Sequence, residues 1–253
     1  MGADLKTFES HGVWGTAAVT AVTAQNTVGV HEVATLAPSS VRAQVESVVR
    51  DIGVDAAKTG ILVTAGIVRE VARAVRELAV PNLVVDPVLS AGTGERFSDD
   101  DAVAALRDEL LPLATVVTPN LAEAARLTGR PAADVGDGAS MESAASTLLE
   151  LGARVVMVTG GHLGGERSPD LVAVAGRAPV WLDAPRLAAG HTHGSGCVLS
   201  AAVCAELARG MEPADACVAA KRFAERAIAA GFALGAGAGP VDPGWAAASL
   251  PPP

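Results

Sequence analysis

Apolar residues fall into two alternating patterns along this chain. Short β-rich apolar runs, each followed by a turn containing Gly, Pro or Asn, occupy 17–23, 83–85, 115–118 and 155–159 and predict strands. Between them the apolar residues recur at helical spacing. The stretch 64–79 carries Ile67, Val68, Val71, Val75 and Leu78 on one face, and 99–111 repeats this with Val103, Leu106 and Leu110. Two more helices are predicted over 141–151 and 213–230. Strands that are apolar along their length must be covered on both faces, and strands separated by amphipathic helices achieve this by lying parallel. The pattern therefore predicts one domain over 1–253, a three-layer α/β/α fold doubly wound around a mainly parallel sheet. No linker or internal repeat interrupts it, and 235–253, rich in Gly, Ala and Pro, is expected to be a peripheral tail.

In such a sheet, ligands bind beyond the carboxyl ends of the strands. The polar residues at those ends are Asp86, the segment Thr118-Pro-Asn-Leu-Ala-Glu123, Thr159-Gly160-Gly161, and the stretch HTHGSGCVLSAA over 191–202. Composition narrows the partners. A formal net charge of −9 with no basic run argues against nucleic acid or an anionic membrane, which leaves small molecules. No apolar run approaches the roughly 18 residues of a membrane span, and the N-terminus lacks the basic-then-apolar order of a signal peptide, so a cytoplasmic location is expected. The three cysteines, Cys197, Cys204 and Cys217, show no Cys-x-x-Cys spacing and predict reduced thiols. The chain holds only three lysines, Lys6, Lys58 and Lys221, and no tyrosine.

Three chemistries compete for 191–202. His191 and His193 point to one side of an extended segment, but no third ligand stands at a recognised metal spacing. Cys197 at a helix start has the setting of an activated thiol, yet nothing else indicates acyl transfer. An anion cradle fits better. Gly194-Ser195-Gly196 lets the backbone approach a ligand, and a helix predicted over 198–209, closing at Gly210, turns its free N–H groups and positive dipole end toward it. A glycine-rich turn that only turns remains the plain alternative. Neither Gly-x-x-x-x-Gly-Lys-[Ser/Thr] nor Gly-x-Gly-x-x-Gly occurs anywhere in the chain.

Taken together, Ala3-Asp-Leu-Lys-Thr-Phe8, Thr23-Ala-Gln-Asn-Thr27, Lys58-Thr-Gly-Ile61, Val85-Asp-Pro-Val88, Thr118-Pro-Asn-Leu-Ala-Glu123, Gly160-Gly-His162, His191-Thr-His-Gly-Ser-Gly-Cys197 and Gly239-Pro240 resemble the hydroxymethylpyrimidine and phosphomethylpyrimidine kinases of thiamine biosynthesis, which have a ribokinase-like fold. The segments occur in family order over nearly the whole chain. The resemblance implies an ATP- and Mg2+-dependent phosphotransferase and a homodimer. It makes Gly194, Ser195, Gly196 and Cys197 an anion hole for the phosphoryl group in transfer, with Cys197 where the wider fold usually has a basic aspartate. It sets Asp4 and Gln25 against the pyrimidine's hydroxymethyl group and ring nitrogens, with Ile61 and Val88 as walls. Asp86 and Glu123 match the acidic pair near Mg2+, reached through water, and Asn120, Thr159 and Gly161 border the nucleotide.

Plainer roles stand beside these. Asp86 before Pro87 also suits a strand end, Glu123 a capping partner of Asn120, and Gln25 a loop residue that satisfies backbone groups. His162, His191 and His193 read as structural or ligand-adjacent, and Cys204 and Cys217 as small packed hydrophobes. The chain departs from the family pattern twice. The family has a strand and glycine-rich turn upstream of Ala3, so a late start or a truncated, impaired form is expected. Thr159 stands where lysine is common, a loss of about 1–3 kcal/mol of phosphate contact that an arginine elsewhere could offset, and the sequence identifies none. A pyridoxal or pyridoxine kinase, which shares the fold, is the alternative enzyme; a catalytically impaired pyrimidine- or nucleotide-binding protein is the alternative outside catalysis.

Overall fold

The computed structural model describes residues 1–92, 94–161, 163–187 and 190–245. The chain opens with helix α1 (Gly2–Ser10), then forms an antiparallel hairpin from β1 (Ala21–Gln25) and β2 (Val30–Thr35). Helix α2 (Pro38–Asp51) leads into β3 (Ala57–Thr59), α3 (Ala65–Glu77) and β4 (Leu83–Val85). Next come α4 (Asp100–Ala105), β5 (Val116–Val117), α5 (Leu121–Leu127), α6 (Gly138–Glu150) and β6 (Val155–Val158). Strands β7 (Asp170–Val174) and β8 (Val180–Leu182) precede the last two helices, α7 (Ser195–Ala208) and α8 (Pro213–Ala229).

Six strands form the main sheet in the order β3-β4-β5-β6-β7-β8. The first four are parallel and the last two turn back antiparallel. Side chains alternate across the sheet. Val85, Val117, Val156 and Val158 pack with Ile67 and Val68 of α3, Leu127 of α5, and Met141 and Leu148 of α6. Val84, Val116, Val155 and Met157 pack with Leu199 and Val203 of α7, Cys217 and Ala220 of α8, and Phe8 of α1. These are the expected three layers. Helix α7 is apolar around most of its circumference because the sheet, α1 and α8 enclose it.

Local signals explain the helix ends. Thr64 and Asp99 cap α3 and the next helix by accepting from the N–H groups of Ile67 and Ala102. The helix predicted over 99–111 is present but loosens after α4 into a π-helical turn at Leu106–Leu110 and a 3-10 turn at Leu111–Leu113, where Pro112 supplies no N–H.

The structure departs from the sequence pattern at two places. The strand read over 17–23 begins at Ala21 and pairs with β2, outside the parallel sheet. The short turn explains this: Asn26 Oδ1 accepts from Val28 N and Gly29 N, and so tight a connection admits only an antiparallel partner. Of the segment 235–253, residues 235–245 are built into the fold. His193 N donates to Gly239 O and His193 O accepts from Val241 N, Val241 is buried beside Val198 and Ala227, and Trp245 packs on Phe223.

The strand register positions the site. Thr59, Val85 and Val117 are level across β3, β4 and β5, so Gly60, Asp86 and Thr118 follow at one height. Strand β6 runs on, and Thr159 bridges to Asn120. The N-terminus of α7 meets this edge.

Candidate active site

Asp86, Lys58 and Asp4 form the floor. Asp86 is buried at the end of β4 and accepts from Ser200 Oγ at 2.7 Å. Lys58, buried in β3, donates from Nζ to Asp4 Oδ1 at 2.7 Å and lies 3.5 Å from Asp86 Oδ2. Asp4 stands in the first turn of α1, and its Oδ2 lies 3.0 Å from the Met1 ammonium. Helix α1 is held to the body by Phe8 and by His11, whose ring packs 4.4 Å from that of Phe223 and whose Nε2 lies 3.7 Å from Glu206. Two carboxylates thus share one buried ammonium. Burial pushes the Asp86 carboxyl above its ordinary range, opposed by Lys58 and Ser200. Burial also works against the Lys58 ammonium, but Asp86 and Asp4 overcome it.

Above this floor begins α7. Gly194 caps the helix with φ +84°, a conformation that a side chain would strain. The Ser195 N–H is used locally, donating to Thr192 O at 3.1 Å, and Val198 N bonds Gly194 O. Among the described residues no backbone acceptor meets the N–H groups of Gly196 or Cys197. A Cβ on Gly196 would meet open space. Cys197 is half-buried, and burial pushes its thiol up to about 11 although Lys58 pulls the other way. It is therefore a neutral thiol near pH 7, unlike the activated form that its helix position suggests. Cys204 and Cys217 are buried and pushed up to about 12, as expected of packed thiols.

Across the edge, Asn120 and Glu123 form a reciprocal cap on α5: Asn120 Oδ1 accepts from Glu123 N and Glu123 Oε2 accepts from Asn120 N. The capping role is realised. Burial, with the Asp86 charge adding to it, raises Glu123 to about 8. Glu123 pairs with no cation among the described residues, and with Asp86 near enough to raise it the two offer hard oxygens suited to a cation that keeps its waters. Beside Glu123 a cavity of about 310 Å³ opens, with Arg96 and Arg126 on its walls.

Thr159 N donates to Pro119 O, and Gly160 N donates to buried Asp170, which pairs with Lys221 at 2.9 Å. A Cβ on Gly160 would collide with Pro169 O, whereas Gly161 is open. Arg186 donates to the carbonyls of Gly161, Gly165 and Arg167, fastening this loop. His162 lies outside the described residues. His191 Nδ1 accepts from Gly239 N and His193 bridges to Pro240, so both histidines brace the loop before α7. Among the described residues no group of three or more His, Cys, Asp or Glu is arranged to hold a metal ion.

The acceptor-side residues are less tightly gathered. Ile61 and Val88 are half-buried just past β3 and β4; Ile61 O accepts from Thr20 Oγ1 at 2.6 Å, which ties the hairpin's entry to the floor. Gln25 ends β1 and is exposed, and among the described residues no hydrogen bond joins it to Asp4, Lys58 or Asp86. Sequence reasoning assigned no site role to Lys58, Ser200, Asp170 or Lys221. A signal existed for the lysines: the chain has three, against 16 arginines, and two of the three hold buried carboxylates.

A helix N-terminus facing buried carboxylates at the carboxyl edge of a covered sheet is where such sheets bind anionic ligands. Residues 1–242 match the family model described as phosphomethylpyrimidine kinase, and the chain belongs to that family. It is 46% identical over 244 residues to the hydroxymethylpyrimidine/phosphomethylpyrimidine kinase of Streptomyces coelicolor, covering 96% of this chain and 88% of that protein. Among solved structures, the ADP complex of Bacillus subtilis pyridoxal kinase is similar with TM-score 0.89 and 36% identity, covering 98% of this chain and 93% of that one. The phosphomethylpyrimidine kinase of Clostridium difficile 630 is similar with TM-score 0.77 and 33% identity over 89% and 91% of the two chains.

Proposed function

We propose that this chain transfers the terminal phosphoryl group of ATP to the hydroxymethyl oxygen of 4-amino-5-hydroxymethyl-2-methylpyrimidine, and then to the resulting monophosphate, in thiamine biosynthesis. The observation that carries this is the juxtaposition of α7's free N–H groups with the Asp4–Lys58–Asp86 floor, in a chain 46% identical to such a kinase. The Gly196 and Cys197 N–H groups, framed by Gly194 and Ser195, receive the phosphoryl oxygens, and positioning supplies most of the catalysis. Cys197, being a neutral thiol, contributes shape rather than a base. Asp4 accepts from the acceptor alcohol; Ile61 and Val88 wall the ring, with Gln25 reaching it from the hairpin. Asp86 and Glu123 are the residues that would hold Mg2+, beside Asn120, Thr159 and Gly161 on the nucleotide side. When bound, Mg2+ neutralises charge on the phosphoryl oxygens. Arg96 and Arg126, on the walls of the cavity beside Glu123, are the cations we assign to offset the charge lost at Thr159.

The higher structural similarity to a pyridoxal kinase, TM-score 0.89 against 0.77, favours a second reading, phosphorylation of pyridoxal. Coupled ADP release with ATP and each alcohol, measured side by side, tests both. Preference for the pyrimidine supports the first reading, and preference for pyridoxal overturns it. Ligand binding without ADP release from either alcohol marks a binding protein. We also read the protein as a cytoplasmic homodimer, in which the exposed Val22 and Val28 of the hairpin find cover. Sedimentation at micromolar concentration checks the assembly.

A further inference from the structure

We propose that Lys58 is a positioning residue that aims Asp4 at the acceptor alcohol, an inference that rests on the pyrimidine-kinase reading above. Asp4 belongs to a helix outside the main sheet, whereas the acceptor must be aligned with α7 and β4, which are fixed to the sheet. Lys58 spans that gap. Its backbone is opposite Val84, which packs toward α7, and its ammonium reaches Asp4 at 2.7 Å and Asp86 at 3.5 Å. Among the described residues no other Lys or Arg pairs with either carboxylate, and the remaining cation on Asp4, the Met1 ammonium, is exposed. An exposed pair holds a side chain weakly, while a buried ammonium has a fixed place and must keep its partners. A lysine also suits the geometry, because its compact head carries three donors and serves two carboxylates at once. Without it, Asp4 and Asp86 repel each other and Asp4 turns toward solvent.

Calorimetry on the purified full chain in metal-free buffer, with the pyrimidine alcohol and separately with ADP, tests this. Lys58→Met should weaken alcohol binding about 10- to 100-fold, the range of a charged hydrogen bond. ADP affinity should stay within about twofold, and Lys58→Arg should restore part of the loss. Because Lys58 acts through Asp4, the Asp4→Asn, Lys58→Met double variant should bind the alcohol no more weakly than Asp4→Asn alone. If Lys58→Met does not fold, Lys58→Gln, which keeps a donor near Asp4, carries the same comparison. Unchanged alcohol binding, an equal loss of alcohol and ADP, or additive losses in the double variant would overturn the role. A wild-type chain that binds no pyrimidine alcohol overturns the functional reading, and this inference with it.

Discussion

Ser200 Oγ donates to Asp86 Oδ2 across 2.7 Å, so the second turn of α7 is fastened to the end of β4 by a bond buried at both ends. Lys58 approaches the same oxygen at 3.5 Å. Both favour the carboxylate, against the burial that raises it. Ser200→Ala should therefore cost about 1.5–3 kcal/mol where Asp86 is ionised, as expected of a hydrogen bond to a charged group. Because this bond favours the ionised form, its contribution is lost as pH falls through the folded-state pKa of Asp86, which lies above the ordinary value. Urea unfolding at alkaline pH and at pH 4 should show a larger difference from wild type at the alkaline value. Equal differences at both pH values would contradict the pairing.

The start of α7 separates backbone from side chain. A Cβ at position 196 meets no neighbouring atom, so Gly196→Val should fold with little change in melting temperature while blocking the N–H groups. Its turnover should fall at least about 100-fold, the scale of losing a preorganised donor. Cys197→Ser exchanges a neutral thiol for a neutral hydroxyl and should keep a substantial part of the activity. Steady-state kinetics on both folded variants decides the matter, and equal losses would return the cysteine to a chemical role.

Much of this architecture is legible in the sequence. Strands β4, β5 and β6 are unbroken valine-rich runs, and Thr64 and Asp99 announce the helices they cap. What escaped follows from physical causes. Strand β3 is Ala-Lys-Thr, three residues with a lysine at the centre, and shows no apolar run because its Lys58 serves carboxylates instead of the core. Strand β2 is exposed along most of its length and carries His31 and Glu32, so no period marks it. Strand β7 opens on Asp170, a charge that looks misplaced until Lys221, 51 positions later, is brought beside it. The glycine turn before α7 was visible as a pattern. That Ser195 uses its own N–H on Thr192 depends on local backbone angles that no spacing reveals.

Glu123 supplies a pH signature. Burial and the neighbouring Asp86 raise it from 4.5 to about 8, so between these values the folded chain keeps a proton that the unfolded chain has released. Its contribution to stability is full below about pH 4.5, declines as pH rises toward 8, and is level above that. Glu123→Gln removes the titration. In metal-free buffer the melting temperature of wild type minus that of the variant should fall steadily from pH 5 to pH 8 and then flatten. A difference independent of pH would mean that Glu123 titrates as an ordinary surface carboxylate.

The loop carrying Thr159 depends on a charge pair far from it in sequence. Asp170 accepts from Gly160 N at 2.9 Å, and its other oxygen lies 2.9 Å from Lys221 Nζ, which also donates to Ser168 O at 3.0 Å. Gly160 cannot move outward to make room for a side chain, because Pro169 O closes its Cβ position. Lys221→Met leaves a buried carboxylate without its cation and should cost about 3–5 kcal/mol in urea unfolding. Adding Asp170→Asn removes the unpaired charge while keeping an acceptor for Gly160, so the double variant should recover part of that loss. Nucleotide affinity should follow the same order, lowest in Lys221→Met, because the strain falls on the loop that holds Thr159 and Gly161. A Lys221→Met protein as stable as wild type would show that Asp170 is neutral in the folded chain and that the pair does not secure the loop.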